Sequence, residues 1–297
     1  LTQKRTDVAG LVFKVVLQAT LFISVAILVI LLASQLIVGW PVLSERLGSF
    51  LTSTTSTQAG EAGIFQALKG TFWIGVCVVV FAFPVGIGSA IYLEQYAPKN
   101  ALTRLIDLTI RNLAGVPSIV FGILGLAVFV EAMGGVTGGK SLLAGGITIA
   151  ILVLPIVIIT AAEALRAVPT GISEAGFGVG ATRWEVIRSH VLPYAAPGIL
   201  TGTVLSLARA LGEAAPLLLV GAILGRPGNN PGFFDPSQLT EGFIAMPTII
   251  ADWAGLPQQA FRENTAAAIV VMLVVVLFAN GAAILLRNTY EKKRQGT

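Results

Sequence analysis

Residues 163–193 read EALRAVPTGISEAGFGVGATRWEVIRSHVLP, a charged stretch punctuated by glycines and set between two long apolar runs. Pro169 and Gly171 turn the chain. Ser173 is placed to cap a short helix beginning at Glu174, and Gly178 and Gly180 weaken that helix before it can run on. Thr182, with Glu185 three residues later, forms a capping box and predicts a second helix from Arg183 to about His190, ending where Pro193 begins the next run. Two short helices therefore meet at Gly180. Amphipathicity alone allows two readings: a docking element for another protein, or a loop lying on a bilayer surface and anchored by Trp184.

The flanking sequence decides what kind of protein this is. Of 297 residues, 55% are hydrophobic and only 11% charged, and the mean hydropathy is +0.85. These values lie outside the usual range of a soluble domain. An uncharged run of about 20 residues is enough to cross roughly 30 Å of hydrocarbon. Such runs occupy about residues 15–40, 70–93, 112–131, 142–163 and 264–286. A sixth, about 194–222, is as apolar as the others except for Arg209 and Glu213.

With the N-terminus inside, 13 of the basic residues fall on the cytoplasmic side and 5 outside, with Arg209 left in the membrane. That asymmetry is a positive-inside signal, and an even number of spans places both termini in the cytoplasm. The expected architecture is one all-α membrane domain over residues 1–297, with six spans and a cytoplasmic loop at about 164–193. The first run is about twice the length of a signal-peptide core, so it is expected to be an uncleaved span. The basic excess is accounted for by topology; no soluble basic face interleaved with aromatics suggests a nucleic-acid partner. Cys77, the single cysteine, lies in the second run and offers neither an intrachain disulfide nor a cysteine metal site. No metal ligand set is assigned.

The eight residues GGVTGGKS, with Gly134, Gly139, Lys140 and Ser141 at the diagnostic positions, match the phosphate-loop pattern letter for letter. A phosphate loop needs a buried strand feeding a glycine-rich turn onto a helix N-terminus. Here the glycines join two membrane runs on the outer side, and no soluble segment is large enough for a nucleotide domain. The match is therefore read as accidental, and the glycines as a tight hairpin.

The cytoplasmic loop resembles the signature of ABC importer permeases: E-A-A, three residues, G, nine residues, I, one residue, L-P. Glu174, Ala175, Gly180, Leu192 and Pro193 fall on that pattern, while Gly176 replaces the second alanine and His190 the isoleucine. Gly176 is expected to loosen the first short helix, and His190 brings a titratable group near the loop. The likeness extends through GVPSIVFGILGLAVFV from Gly115, GATRW from Gly180, the run ARALGEAAPLLLVGA from Ala208, and PQQAF from Pro257. Together these resemble the PstA family of phosphate-importer permeases.

The resemblance implies the ABC importer permease fold and a subunit that is not itself an enzyme. In that family the signature loop is the coupling helix, seated in a separate ATPase subunit. Glu174, Ala175, Gly180, Leu192 and Pro193 would do the coupling here. ATP and magnesium would be used by that partner, with no cofactor bound by this chain. The implied partners are a second, related permease, a pair of cytoplasmic ATPase subunits and an external phosphate-binding protein, assembled in the cytoplasmic (inner) membrane.

A charged arginine inside an apolar run costs several kcal/mol by insertion scales, so Arg209 needs a polar cavity or a partner. Arg209 and Glu213 are four residues apart and can neutralise each other on one helical face. Alternatively Arg209 lines a path, where its planar fork suits a tetrahedral oxyanion. The resemblance favours the path, because the arginine of the matching family run is implicated in phosphate passage. Glu213 adds a chemical discriminator: hydrogen phosphate carries a proton that sulfate lacks, and a carboxylate can accept a hydrogen bond from it.

Gly212 and Pro216 permit close approach and a kink beside this pair. Pro84, Gly86, Gly88, Gly115, Pro117 and Ser118 are further places for a bend or for plain packing. The outer segment from Arg226 to Glu263, with Trp253, is expected to lie at the interface and receive a delivery protein. Readings from other classes are a sulfate or molybdate importer half, a proton-driven carrier using Glu213, and a membrane enzyme using Arg209, Glu213 and His190. The enzyme suffers from distance, since His190 lies about five helical turns from Arg209.

Overall fold

A computed structural model describes residues 8–222 and 232–295. Arg226, counted above on the outer side, and Lys4 and Arg5, counted inside, lie outside these residues. The described chain is helical, and its elements follow from the apolar runs and from the breakers between them. They are α1 (Val8–Glu45), α2 (Phe65–Tyr96), α3 (Ala101–Leu113), α4 (Ser118–Ala132), α5 (Leu142–Arg166), α6 (Thr170–Gly178), α7 (Arg183–Gly212), α8 (Ala215–Val220), α9 (Met246–Ala254) and α10 (Gln259–Gln295). Five of these helices are long and apolar enough to cross a membrane, and α4 supplies a sixth crossing when joined to α3, from which it bends by 100°.

α5 is the axis of the molecule. It packs on α2, α4 and α7, and glycines and small residues let it do so at close range. A Cβ on Gly86 of α2 would come within 2.6 Å of Val157, and one on Gly202 of α7 within 2.2 Å of Thr160. The core around it forms three layers: Ile74, Phe121 and Ile149 at the centre, Phe50, Met246 and Trp253 towards one end, and Ala90, Leu165 and Val191 at the other. In contrast, α1 buries only Gly39 and Val42 and leaves a long apolar surface exposed, as expected of a helix in lipid. It meets α10 where Gly39 lies against the Ala266 and Ala267 backbone.

Three features depart from the sequence expectation. The third crossing begins at Ser118, whereas the apolar run starts at Asn112, because Pro117 (φ −56°, ψ 136°) is extended and disfavours helix in the residue before it. The preceding α3 is amphipathic, exposing Leu102, Leu105 and Ile106. The apolar run 194–222 is two helices, since α7 ends at Gly212 and α8 starts at Ala215. Pro216 has no N–H to give the Gly212 carbonyl, so the helix breaks where only a kink was expected. Finally, Trp253 is buried at 2% exposure between Phe50 and Phe261. The outer segment therefore folds inwards through α9, where the expectation was an interfacial strip. The Met246 N–H ties it to Thr71 Oγ1 at 2.8 Å.

On the same side, Arg46 holds the loop after α1. Its guanidinium donates to the carbonyls of Ala59 (2.7 Å), Gly60 (2.8 Å) and Ala62 (3.1 Å), and to Asn264 Oδ1. Burial lowers its pKa, with Glu263 opposing the shift.

Candidate translocation and coupling site

The signature loop is built around one glycine turn. α6 starts at Thr170 directly behind Pro169, whose φ of −58° is already helical. Ser173 is therefore inside the helix and not its cap. The helix continues through Gly176, which is buried; an added Cβ would meet Val186 Cγ2 at 2.8 Å. Gly176 is thus the residue that lets α6 sit on the start of α7, and it does not loosen the helix. Gly180 closes the turn at φ +81°, a conformation that costs an L-side chain energy and glycine little. Ala181 N–H then returns to the Gly176 carbonyl at 3.2 Å.

The capping box is present. Thr182 N–H donates to Glu185 Oε2 at 2.8 Å, and Thr182 Oγ1 accepts from Glu185 N–H at 3.4 Å. The helix that starts there does not stop before Pro193. A π-turn over Ile187–Val191 widens the backbone, which accommodates the missing proline N–H. Arg183 to Gly212 is therefore one rod, with Leu192 and Pro193 inside it. His190 is exposed on the rod near its loop end, far from Arg209, so the structure does not assemble Arg209, Glu213 and His190 into one site.

Glu174 and Ala175 are exposed on α6, together with large apolar side chains at Phe177 (49%), Val179 (85%) and Trp184 (53%). Exposed aromatic and branched residues beside charges make a surface suited to protein contact. Arg183 also lies 5.1 Å over the Tyr96 ring at the end of α2.

Beside the loop stand five charges to which the sequence reading gave no role. They form a chain: Glu94 pairs with Arg166 (2.5 Å), Arg166 with Asp107 (3.8 Å), Asp107 with Arg111 (3.0 Å), and Arg111 with Glu163 (3.9 Å). It joins α2, α3 and α5. Opposite charges at the same end of successive spans were the available signal.

Farther along the rod, Arg209 is in the last turn of α7 with 47% of its side chain exposed. Its Nε lies 3.4 Å from Oε1 of Glu213, which is 20% exposed and sits in extended backbone (φ −82°, ψ 119°) at the break before α8. The two groups are brought together, although Glu213 is no longer on the helix. Among the described residues nothing takes the two Nη groups. Thr201, Leu205, Arg209 and Gly212 are exposed at helical spacing along one side of α7.

The glycine hairpin has a different job. Gly138 and Gly139 both adopt positive φ (85° and 72°) after α4, a helix and not a strand. Ser141 caps α5, accepting from Ala144 N–H at 3.2 Å and donating to the Thr137 carbonyl at 2.5 Å. The Lys140 stem covers Gly221.

Residues 82–288 match the family described as binding-protein-dependent transport system inner membrane component. The chain belongs to this family. Within it, the chain is 33% identical over 214 residues to the phosphate transport system permease protein PstC of Mycobacterium leprae (strain TN), covering 64% of this chain and 67% of that one. It is 35% identical over 158 residues to the phosphate transport system permease protein PstA 1 of Mycobacterium tuberculosis (strain ATCC 25618 / H37Rv), covering 53% and 50%. The chain thus spans about half to two thirds of the length of such relatives. Its fold is that of the permease in a bacterial alginate ABC transporter crystallised with an alginate pentasaccharide-bound periplasmic protein: TM-score 0.63, 18% identity, covering 94% of this chain and 97% of that one. The chain is a multi-pass permease subunit of the ABC importer family, and its relatives are transport subunits and not enzymes.

Proposed function

We propose that the chain forms half of the translocation path of an ATP-driven importer of inorganic phosphate, in the cytoplasmic (inner) membrane with both termini inside. A related permease of the PstC kind supplies the other half. Two cytoplasmic ATPase subunits use ATP and magnesium, and an external phosphate-binding protein delivers the substrate. The PstA kind is the one assigned to this chain, on the run ARALGEAAPLLLVGA.

One observation carries the reading: a half-exposed guanidinium in the last turn of an apolar rod, holding one carboxylate through one nitrogen. Facing lipid, such a group costs several kcal/mol; facing water or a second subunit, it presents an unfilled fork to an oxyanion. On the loop side, Glu174, Ala175, Gly180, Leu192 and Pro193 couple to the ATPase, because the rod that carries Arg209 begins at the docking turn. The motion of one end is delivered to the other.

The test is uptake of labelled phosphate into vesicles holding the whole assembly, with ATP and with excess sulfate or molybdate as competitor. Uptake that resists both competitors and collapses in Arg209→Gln supports the reading. Competition by sulfate or molybdate moves the chain to a sibling oxyanion importer, and uptake without ATP but with a proton gradient moves it to a secondary carrier. Normal uptake in the variant makes Arg209 a structural partner of Glu213.

A further inference from the structure

We propose that Arg287 and Thr201 form a second oxyanion station on the same path, on the cytoplasmic side of Arg209; the inference rests on the path reading above. By sequence Arg287 is one of the cytoplasmic positive charges at the end of α10. The structure turns it back onto α7: its Nη1 donates to Thr201 Oγ1 at 3.1 Å. Thr201 is held in place by donating its own proton to the Pro197 carbonyl at 2.8 Å, so its lone pair is what the guanidinium meets. The remaining contacts of Arg287 are long ones to Asn288 Oδ1, at 3.4 Å from Nε and 3.3 Å from Nη2. Among the residues whose side chains are described, no carboxylate pairs with it.

Thr201 lies on the exposed side of α7 that also carries Leu205 and Arg209. At 1.5 Å per residue, Thr201 is roughly 13 Å above Leu192, and Arg209 is about 12 Å farther along. Two guanidinium forks on one face at that separation cannot share one phosphate. They can hold it in succession. A path with a single deep cation site would trap its ion, whereas conduction needs sites strong enough to enter and weak enough to leave, with a second site to accept the ion. The guanidinium supplies the donors for an oxyanion, and the Thr201 hydroxyl, whose one proton is committed to the Pro197 carbonyl, positions it by accepting from Nη1. This station differs from the Arg209–Glu213 pair in holding its guanidinium through a hydroxyl, and so it discriminates by charge and not by protonation state.

The test uses the complete importer in vesicles, with Cys77→Ala as background and Leu205→Cys as a reporter between the two stations. Modification rates by an anionic and a cationic thiosulfonate of similar size are compared. The anionic reagent is expected to react faster, and Arg287→Gln to lower the anionic-to-cationic rate ratio by about tenfold, the effect of one unit charge at roughly one helical turn. Arg287→Lys should restore most of the ratio, which a purely structural role of the side chain would not predict. In uptake, Arg287→Gln should lower the maximal rate more than it raises the KM. An unchanged ratio in Arg287→Gln, with a lowered ratio in Arg209→Gln, overturns the second station and leaves the path standing. A reporter that neither reagent reaches places this side of α7 in lipid and overturns both.

Discussion

Two groups of charges, one at the loop end of the helices and one far along α7, are satisfied in opposite ways. At the loop end, two arginines are threaded between three acids, so that Arg166 reaches Glu94 and Asp107 while Arg111 reaches Asp107 and Glu163. Near the break, Arg209 has Glu213 alone, at 3.4 Å through one nitrogen. The first arrangement closes on itself and fixes α3 against α2 and α5. The second leaves donors over in an apolar setting, where unfilled donors are expensive. Charges that hold the fold are consumed within the chain; on the proposed path, Arg209 is left with room for an ion.

The sharpest way to break the contrast is to remove the fork. Arg209→Gln should lower phosphate uptake by about 100-fold or more, since a bidentate charge-assisted contact is lost where water cannot replace it. Arg209→Lys, a point charge without the planar fork, should recover only part of the rate. Both variants should leave the subunits co-purifying and the ATPase turning over. Loss of assembly in both would put Arg209 with the structural charges and erase the distinction.

Glu213→Gln tests the other member of the pair. The carboxylate at the break is expected to accept a hydrogen bond from the protonated oxygen of hydrogen phosphate, so its amide should lower phosphate flux by about tenfold and admit sulfate, on the scale of one hydrogen bond to a charged group. The readout is the ratio of phosphate to sulfate uptake in one vesicle preparation. If flux and sulfate rejection both stay at wild-type values, Glu213 serves only to neutralise Arg209.

Arg166→Gln addresses the closed network. Each pair is partly exposed and by itself contributes at most about 1 kcal/mol, yet Arg166 is shared by two acids. The expected outcome is an importer that assembles and still selects phosphate, with several-fold more ATP hydrolysed per phosphate moved. A double-mutant cycle with Asp107→Asn should show non-additivity, as charges in one network do. A change of substrate preference in Arg166→Gln would mean that the network reaches the path.

The sequence made the helices legible because apolar runs of membrane length leave the backbone few alternatives. It made Arg209 legible because a charge inside such a run needs a reason. It concealed what depends on who meets whom. The break at Glu213 arises because Pro216 cannot donate to the Gly212 carbonyl, and composition still reads as one apolar stretch across it. Trp253, which composition places at the interface, is buried because Phe50 and Phe261 close over it from other parts of the chain. Gly176 looked like a weakness in α6 until Val186 occupied the space a methyl would need. The Arg287–Thr201 contact spans 86 residues, and neither residue stands out in its own neighbourhood.

The smallest expected effect lies at the Gly180 turn, which belongs to neither group of charges and leads into the rod that carries Arg209. Thr182→Ala removes the hydroxyl that caps the rod, a loss on the order of 1 kcal/mol of helix-start stability. The rod is held elsewhere by Val186, Ile187 and Val191 in the core, so the subunit should fold and insert normally. What should change is the fidelity with which the first turn stays helical when the ATPase pulls on it. Phosphate uptake at saturating ATP should fall about twofold while basal ATP hydrolysis is unchanged, and Thr182→Ser, which keeps the cap, should behave as wild type. An equal loss in the serine variant would show that the threonine methyl packing carries the effect, and the capped start of the rod would then have no part in transmitting force to Arg209.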